Sequence, residues 1–156
     1  MKLALGTAQF GLNYGISNHG GQVSQQDAKA IISFAQSSGV DTLDTAIAYG
    51  ESEACLGSIG LDGFKVVTKL PPMPDDVINV RSWVFDEMQL SLQRLNVKTV
   101  YGLLLHDSNQ LAGPNGQALS QAVGQLKSDG IVQKFGVSIY SPSELNNLMN
   151  ICCVDI

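Results

Sequence analysis

Short apolar runs alternate with longer amphipathic stretches along the whole chain, and few folds accommodate that pattern. The apolar runs are Leu3–Ala8, Thr42–Ala46, Lys65–Leu70, Val100–Leu105, Phe135–Ile139 and Cys152–Ile156. Leu103-Leu104-Leu105 shows no polar alternation, as expected of a strand covered on both faces. The stretches between the runs carry helical signals. Ser24-Gln25-Gln26-Asp27 resembles a capping box, and Ala28, Ile31, Ile32 and Ala35 then share one face up to the stop signal Gly39. Val84, Met88, Leu92 and Leu95 recur at helical spacing, as do Leu119, Ala122, Val123 and Leu126. Ser141-Pro142-Ser143-Glu144 places a proline at a first helical position. Alternation of this kind predicts a parallel sheet with right-handed crossovers.

Both a doubly wound sheet and a barrel satisfy that prediction, and the first strand-to-helix turn separates them. It reads Leu5-Gly6-Thr7-Ala8-Gln9-Phe10-Gly11-Leu12-Asn13-Tyr14-Gly15. This is neither Gly-x-Gly-x-x-Gly nor a phosphate-binding P-loop, so a dinucleotide-binding doubly wound sheet loses its main support. With 44% hydrophobic and 15% charged residues the chain is expected to be globular. A net charge of -5 without any Lys/Arg run speaks against nucleic acid or an anionic membrane as partner. No apolar run approaches the ~20 residues that cross a bilayer. The three cysteines, Cys55, Cys152 and Cys153, have neither framework nor metal-binding spacing, which predicts a reducing cytoplasm and no metal.

Polar residues stand where a barrel places its catalysts, at the C-terminal ends of strands. Asp44 closes the second apolar run, Lys69 the third and His106 the fourth; Ser138 lies near the end of the fifth, and Tyr49 sits in the loop after Asp44. Taken singly, each has an ordinary explanation. Asp44 would cap a turn, Tyr49 would pack, Lys69 would be a solvated strand end and His106 a hydrogen-bonded core histidine. His19 reads as a surface loop residue, and Trp83 and Phe85 as packing.

Jointly the residues form a signature. Asp44-Thr45-Ala46-Ile47-Ala48-Tyr49-Gly50, followed by Ser52-Glu53 and Leu56-Gly57, resembles the loop that marks the aldo-keto reductases. Gly6-Thr7-Ala8, Thr68-Lys69, Leu104-Leu105-His106 and Gly136-Val137-Ser138 resemble the same family in the same order. The resemblance implies a TIM-type (β/α)8 barrel, here incomplete, with about five βα units plus a sixth strand in one domain over residues 1–156. It implies reduction of an aldehyde or ketone by hydride from NADPH, with NADH as the alternative. Asp44, Tyr49, Lys69 and His106 become the catalytic set, and Gly6, Thr7, Asp44 and Ser138 the cofactor-binding residues within this chain. Tyr49 would donate the proton, and the Lys69 ammonium would lower its pKa. His106 would hydrogen-bond the developing oxyanion. Where the family often has Asn after the serine, this chain has Ile139, so that half of the carboxamide contact is missing.

A complete barrel of this type runs to about 250 residues and builds its phosphate site from the loops after strands seven and eight. The 156 residues therefore predict a reaction centre without the cofactor phosphate site, inactive alone and prone to self-association through open barrel edges. The implied partner is a small carbonyl substrate. Similarity to family members found with surface-polysaccharide synthesis implies a sugar-related one. Two other readings stay open: a non-catalytic accessory subunit of the same fold, and a Schiff-base aldolase using Lys69.

Overall fold

The computed structural model describes residues 3–16, 18–141, 144 and 154–156. Five strands alternate with four helices: β1 (Leu5–Gly6), α1 (Gln25–Ser37), β2 (Thr42–Asp44), α2 (Ser52–Ile59), β3 (Lys65–Leu70), α3 (Val80–Leu95), β4 (Val100–Leu105), α4 (Gly116–Ser128) and β5 (Val132–Val137). All neighbouring strands are parallel and the spatial order is the chain order, β1-β2-β3-β4-β5. A doubly wound sheet reverses its order at a switch point; an unbroken sequential order is the winding of a (β/α)8 barrel, of which these are the first five strands. No helix among the described residues is long and apolar enough to cross a membrane.

Helix α1 starts where the sequence predicts. The Ser24 hydroxyl oxygen accepts the Asp27 N–H at 3.1 Å and its proton goes to the Asp27 carboxylate at 2.6 Å, with Asp in the place usually held by Glu. Ala28, Ile32 and Ala35 are buried, whereas Ile31 lies at the rim of that face and is exposed. Val84, Met88 and Leu95 of α3, and Leu119, Ala122, Val123 and Leu126 of α4, are all core residues. Strand β3 is buried from Val66 to Leu70 without alternation, because helices cover one face and the barrel interior the other.

Strands β1, β2 and β5 differ in their boundaries from the apolar runs, β2 ending at Asp44 rather than Ala46. After Gly6 the chain makes a single 3-10 turn, Ala8–Phe10, which ends β1 two residues before Ala8. Strand β5 begins at Val132, ahead of the run Phe135–Ile139, because the ladder pairs Val132 with Val100; exposed Gln133 and half-buried Lys134 conceal that start from an apolarity argument. Cys152 and Cys153 of the run Cys152–Ile156 lie outside the described residues, as do Pro142 and Ser143 of the helix start Ser141-Pro142-Ser143-Glu144. At Ile156 the amide donates to Phe135 O and the carbonyl accepts from Val137 N, both at 3.3 Å, the hydrogen-bond pattern of a parallel strand beside β5.

Candidate active site

Asp44, Lys69 and His106 stand at the C-terminal ends of β2, β3 and β4, and Tyr49 lies in the loop after β2. The Asp44 carbonyl accepts the Thr7 amide at 2.9 Å, and the Thr45 amide donates to Val67 O at 2.9 Å, so Asp44 is held between β1 and β3. The chain then runs past the end of β3, where Ile47 N donates to Lys69 O at 3.1 Å, and turns at Tyr49. Two glycines permit this turn. A Cβ on Gly11 would lie 1.9 Å from Tyr49 O, and Gly50 (φ +54°) would carry its Cβ 2.6 Å from Gly11 O. The first loop and the Tyr49 loop therefore meet backbone to backbone.

Lys69 is the penultimate residue of β3. Its side chain is 5% exposed, and its ammonium donates to both Asp44 carboxylate oxygens and to the Thr45 carbonyl, each at 2.8 Å. The same Nζ stands 5.0 Å from the centroid of the Tyr49 ring. His106 follows β4, its amide donating to Leu70 O at 3.0 Å. Its ring meets Tyr49 edge to face, with centroids 5.6 Å apart and planes at 82°. Asp44, Tyr49, Lys69 and His106 thus form one contiguous cluster.

The electrostatics depart from expectation at Tyr49. Its pKa is raised above the ordinary 10.0, first by burial and then by the Asp44 charge. The predicted depression by Lys69 is absent: the ammonium is committed to Asp44, whose carboxylate offsets its field at the phenol. His106 is pushed below 6.5, chiefly by burial and next by Lys69, with Asp44 opposing. At neutral pH the site therefore holds a phenol and a neutral imidazole.

A cavity of about 380 Å³ opens beside the cluster, lined by Gly6, Thr7, Ala8, Gln9, Tyr14, Gly15, Asp44 and Tyr49. A Cβ on Gly6 would touch nothing within 4 Å, so the end of β1 faces open space. Thr7, expected against a cofactor, is fully buried, and its hydroxyl donates to the Asp44 carbonyl at 3.0 Å. It acts on the site through Asp44. Ser138 follows β5 and continues its ladder, its amide donating to Leu105 O at 2.9 Å. Ile139 packs against the core instead of offering a polar contact. Tyr14, 57% exposed in the first loop, is a lining residue that sequence reasoning passed over; its only signal was an aromatic residue between Asn13 and Gly15.

Ser52 and Glu53, read from sequence only as motif, prove to be buried polar centres. Glu53 Oε1 accepts from the Thr68 and Ser91 hydroxyls at 2.6 Å each, and Oε2 from Arg94 Nε at 2.8 Å, tying α2 to β3 and α3. Gly57 lets those helices approach, since a Cβ there would lie 2.1 Å from Arg94 O.

None of the curated proteins matches the sequence. Among solved structures, a Pseudomonas aeruginosa protein designated an aldo-keto reductase superposes with a TM-score of 0.76 at 22% identity, over 94% of this chain and 59% of its own. An aldo-keto reductase from Bacillus halodurans gives 0.76 at 18% identity over 98% and 51%, and a glycerol dehydrogenase from Gluconobacter oxydans 0.69 at 25% over 97% and 48%. The chain thus spans between 48% and 59% of the length of these three neighbours. The model of the aldo/keto reductase family matches residues 2–155. With that match running nearly end to end, and five strands wound as the family's barrel begins, the chain belongs to the aldo/keto reductase family.

Proposed function

We propose that these residues form the reaction centre of a reductase that converts a small aldehyde or ketone to the alcohol with NADPH or NADH. The observation that carries the reading is the Asp44–Lys69 pair lying against Tyr49, with His106 edge-on to the same ring. The family implies a nicotinamide cofactor, and the residues present fit one. Gly6 leaves unfilled space at the strand end, the Asp44 carboxylate is 36% exposed toward it, and Ser138 stands at the end of β5. Gly6, Asp44 and Ser138 would hold it, with Thr7 supporting Asp44 from below. When bound, such a cofactor supplies the hydride.

The protein's part is to meet the charge that appears on the carbonyl oxygen. The Tyr49 hydroxyl gives that oxygen its proton. Burial keeps Tyr49 protonated until then. The Lys69 ammonium, 5.0 Å from the ring centroid, is held by the Asp44 carboxylate, whose charge helps keep the proton on Tyr49 until the carbonyl oxygen takes it. Neutral His106 has one N–H to donate, and directs it at the developing charge. Asp44 and the Thr45 carbonyl keep Lys69 from swinging away. A Schiff base would need Lys69 as a free amine, and all three of its donors are engaged.

The test is turnover. A polypeptide carrying these residues in a closed barrel should oxidise NADPH in the presence of a simple aldehyde, followed by the loss of near-ultraviolet absorbance. We expect no turnover from the 156 residues alone, which hold five strands of an eight-stranded architecture and span between 48% and 59% of the length of the neighbours above. A borohydride-stable adduct on Lys69 in place of NADPH oxidation would overturn the reading in favour of an aldolase.

A further inference from the structure

We infer that the buried hydroxyls of Thr7, Thr45 and Ser52 are a positioning device that holds Asp44 and Thr45 against the Lys69 ammonium. The three come from separate segments: Thr7 follows β1, Thr45 follows β2, and Ser52 opens α2. All three are fully buried. Their oxygens form one chain. Thr45 Oγ1 lies 3.1 Å from Ser52 Oγ, Ser52 Oγ donates to Thr7 O at 2.8 Å, and Thr7 Oγ1 donates to Asp44 O at 3.0 Å.

Counting protons gives the chain a direction. The Ser52 proton goes to Thr7 O and the Thr7 proton to Asp44 O, so Thr45 is the donor to Ser52 Oγ. Each hydroxyl proton then has an acceptor. The chain starts on the side chain of Thr45 and returns to the carbonyl of Asp44, closing a loop around one peptide unit. Those same two residues supply every acceptor of Lys69: two carboxylate oxygens and the Thr45 carbonyl. The Asp44 carboxylate and the Thr45 carbonyl extend from the two Cα atoms that this peptide joins, so holding it fixes the points from which all three acceptors reach the ammonium. Ser52 extends the hold to Tyr49, since its amide donates to Tyr49 O at 3.0 Å.

Valine or alanine would fill these positions at no cost in unsatisfied polar groups, and buried neutral hydrogen bonds contribute little net stability. What the hydroxyls add is direction. They are positioning residues, and their consequence for catalysis rests on the reductase reading given above. The hydrogen-bond loop itself does not.

The chain contains only two histidines, exposed His19 and His106, which faces Tyr49, Lys69 and Asp44. Titrating both by NMR in the 156-residue chain reads the charge geometry without cofactor or turnover. Its outcome is therefore independent of whether carbonyls are reduced. Thr45→Val keeps the shape and breaks the loop; Ser52→Ala removes its central oxygen; Thr45→Ser restores the hydroxyl. Ser91→Ala, which takes a buried donor from Glu53, is the structural control. A unit charge moved by ~1 Å from a separation of about 5 Å displaces a neighbour's midpoint by roughly 0.4 pH unit at an effective dielectric constant of about 20. We expect a displacement of that order at His106 in Thr45→Val and Ser52→Ala, recovery in Thr45→Ser, and no change at His19 or in Ser91→Ala. An unmoved His106 in the folded loop variants would overturn the inference. So would an equal displacement in Ser91→Ala, or failure of both Thr45→Val and Ser52→Ala to fold, since the hydroxyls would then be framework.

Discussion

Two carboxylates in this chain, nine residues apart, are each paired with a cation, and they serve opposite ends. Glu53 is sealed: its side chain is 1% exposed, and two hydroxyls and the Arg94 guanidinium consume its oxygens. Asp44 is 36% exposed, lies on a cavity, and its cation touches an aromatic ring with a second titratable group behind it. A closed network has nowhere for a substrate to enter, so its effect is to lock α2, β3 and α3 together. An open pair beside a phenol and an imidazole can act on a molecule in the cavity. The difference lies in access and in what stands beside the pair, since the ion-pair distances, 2.8 Å in both, are the same.

The largest effect expected from breaking this contrast is at Tyr49. In a polypeptide that turns over, Tyr49→Phe should lower kcat by about 10²–10⁴-fold, the usual contribution of a general acid, while cofactor affinity measured by fluorescence stays close to wild type. Near-normal turnover in that variant would remove Tyr49 from the reaction.

Glu53→Gln should act on stability instead. Removing one partner of a buried ion pair costs about 3 kcal/mol, the low end of the usual range, because Arg94 keeps some contact with water. Urea denaturation would show it, and the His106 titration should be unmoved. A variant of unchanged stability would mean that the sealed network is not the fastener described here.

The open site should also confer pH dependence. His106 has a folded pKa below 6.5, so the unfolded chain binds a proton first as pH falls. Its contribution is therefore present above pH 6.5 and lost as pH drops below it. Tyr49 has the opposite window: its folded pKa lies above 10.0, so the unfolded chain ionises first and stability falls as pH rises past that value. His106→Gln should flatten the urea midpoint between roughly pH 5 and 6.5, where carboxylates of ordinary pKa are already ionised. An unchanged slope in that variant would detach His106 from the effect.

The smallest effect belongs to a third pair, Asp41–Lys65, whose side chains are 57% and 47% exposed. Asp41→Asn should leave the urea midpoint within error of wild type, as exposed pairs ordinarily do. A clear loss there would show that exposure is not what separates these pairs.

Much of the site was legible along the chain because barrels place chemistry at strand ends, and strand ends can be found from apolar runs. Lys69 and His106 stand where β3 and β4 finish, and both strands were bounded correctly from Val66, Val67 and Leu70 in one and Val100 with Leu103-Leu104-Leu105 in the other. Strand β5 was misplaced by three residues at its start because Gln133 and Lys134 are polar, and only the ladder to β4 shows that they belong to it. Glu53 looked like one letter of a motif; its partners Thr68, Ser91 and Arg94 lie 15, 38 and 41 residues away.

The sequence by itself determined the alternation of strand and helix, the parallel sheet, and the residue types at the strand ends. Those follow from local periodicity, from helix start and stop signals, and from motifs read in order along the chain. Tertiary structure alone decided how the charges are shared. Lys69 was expected to acidify Tyr49, yet its three donors are taken by Asp44 and Thr45, and burial raises the phenol instead. Thr7, read from the sequence as a cofactor contact, is fully buried and gives its hydroxyl proton to the Asp44 carbonyl. Both outcomes depend on distances between residues 24 to 37 positions apart, and a proton's preference is set by its nearest neighbours in space, which are not its neighbours in the chain.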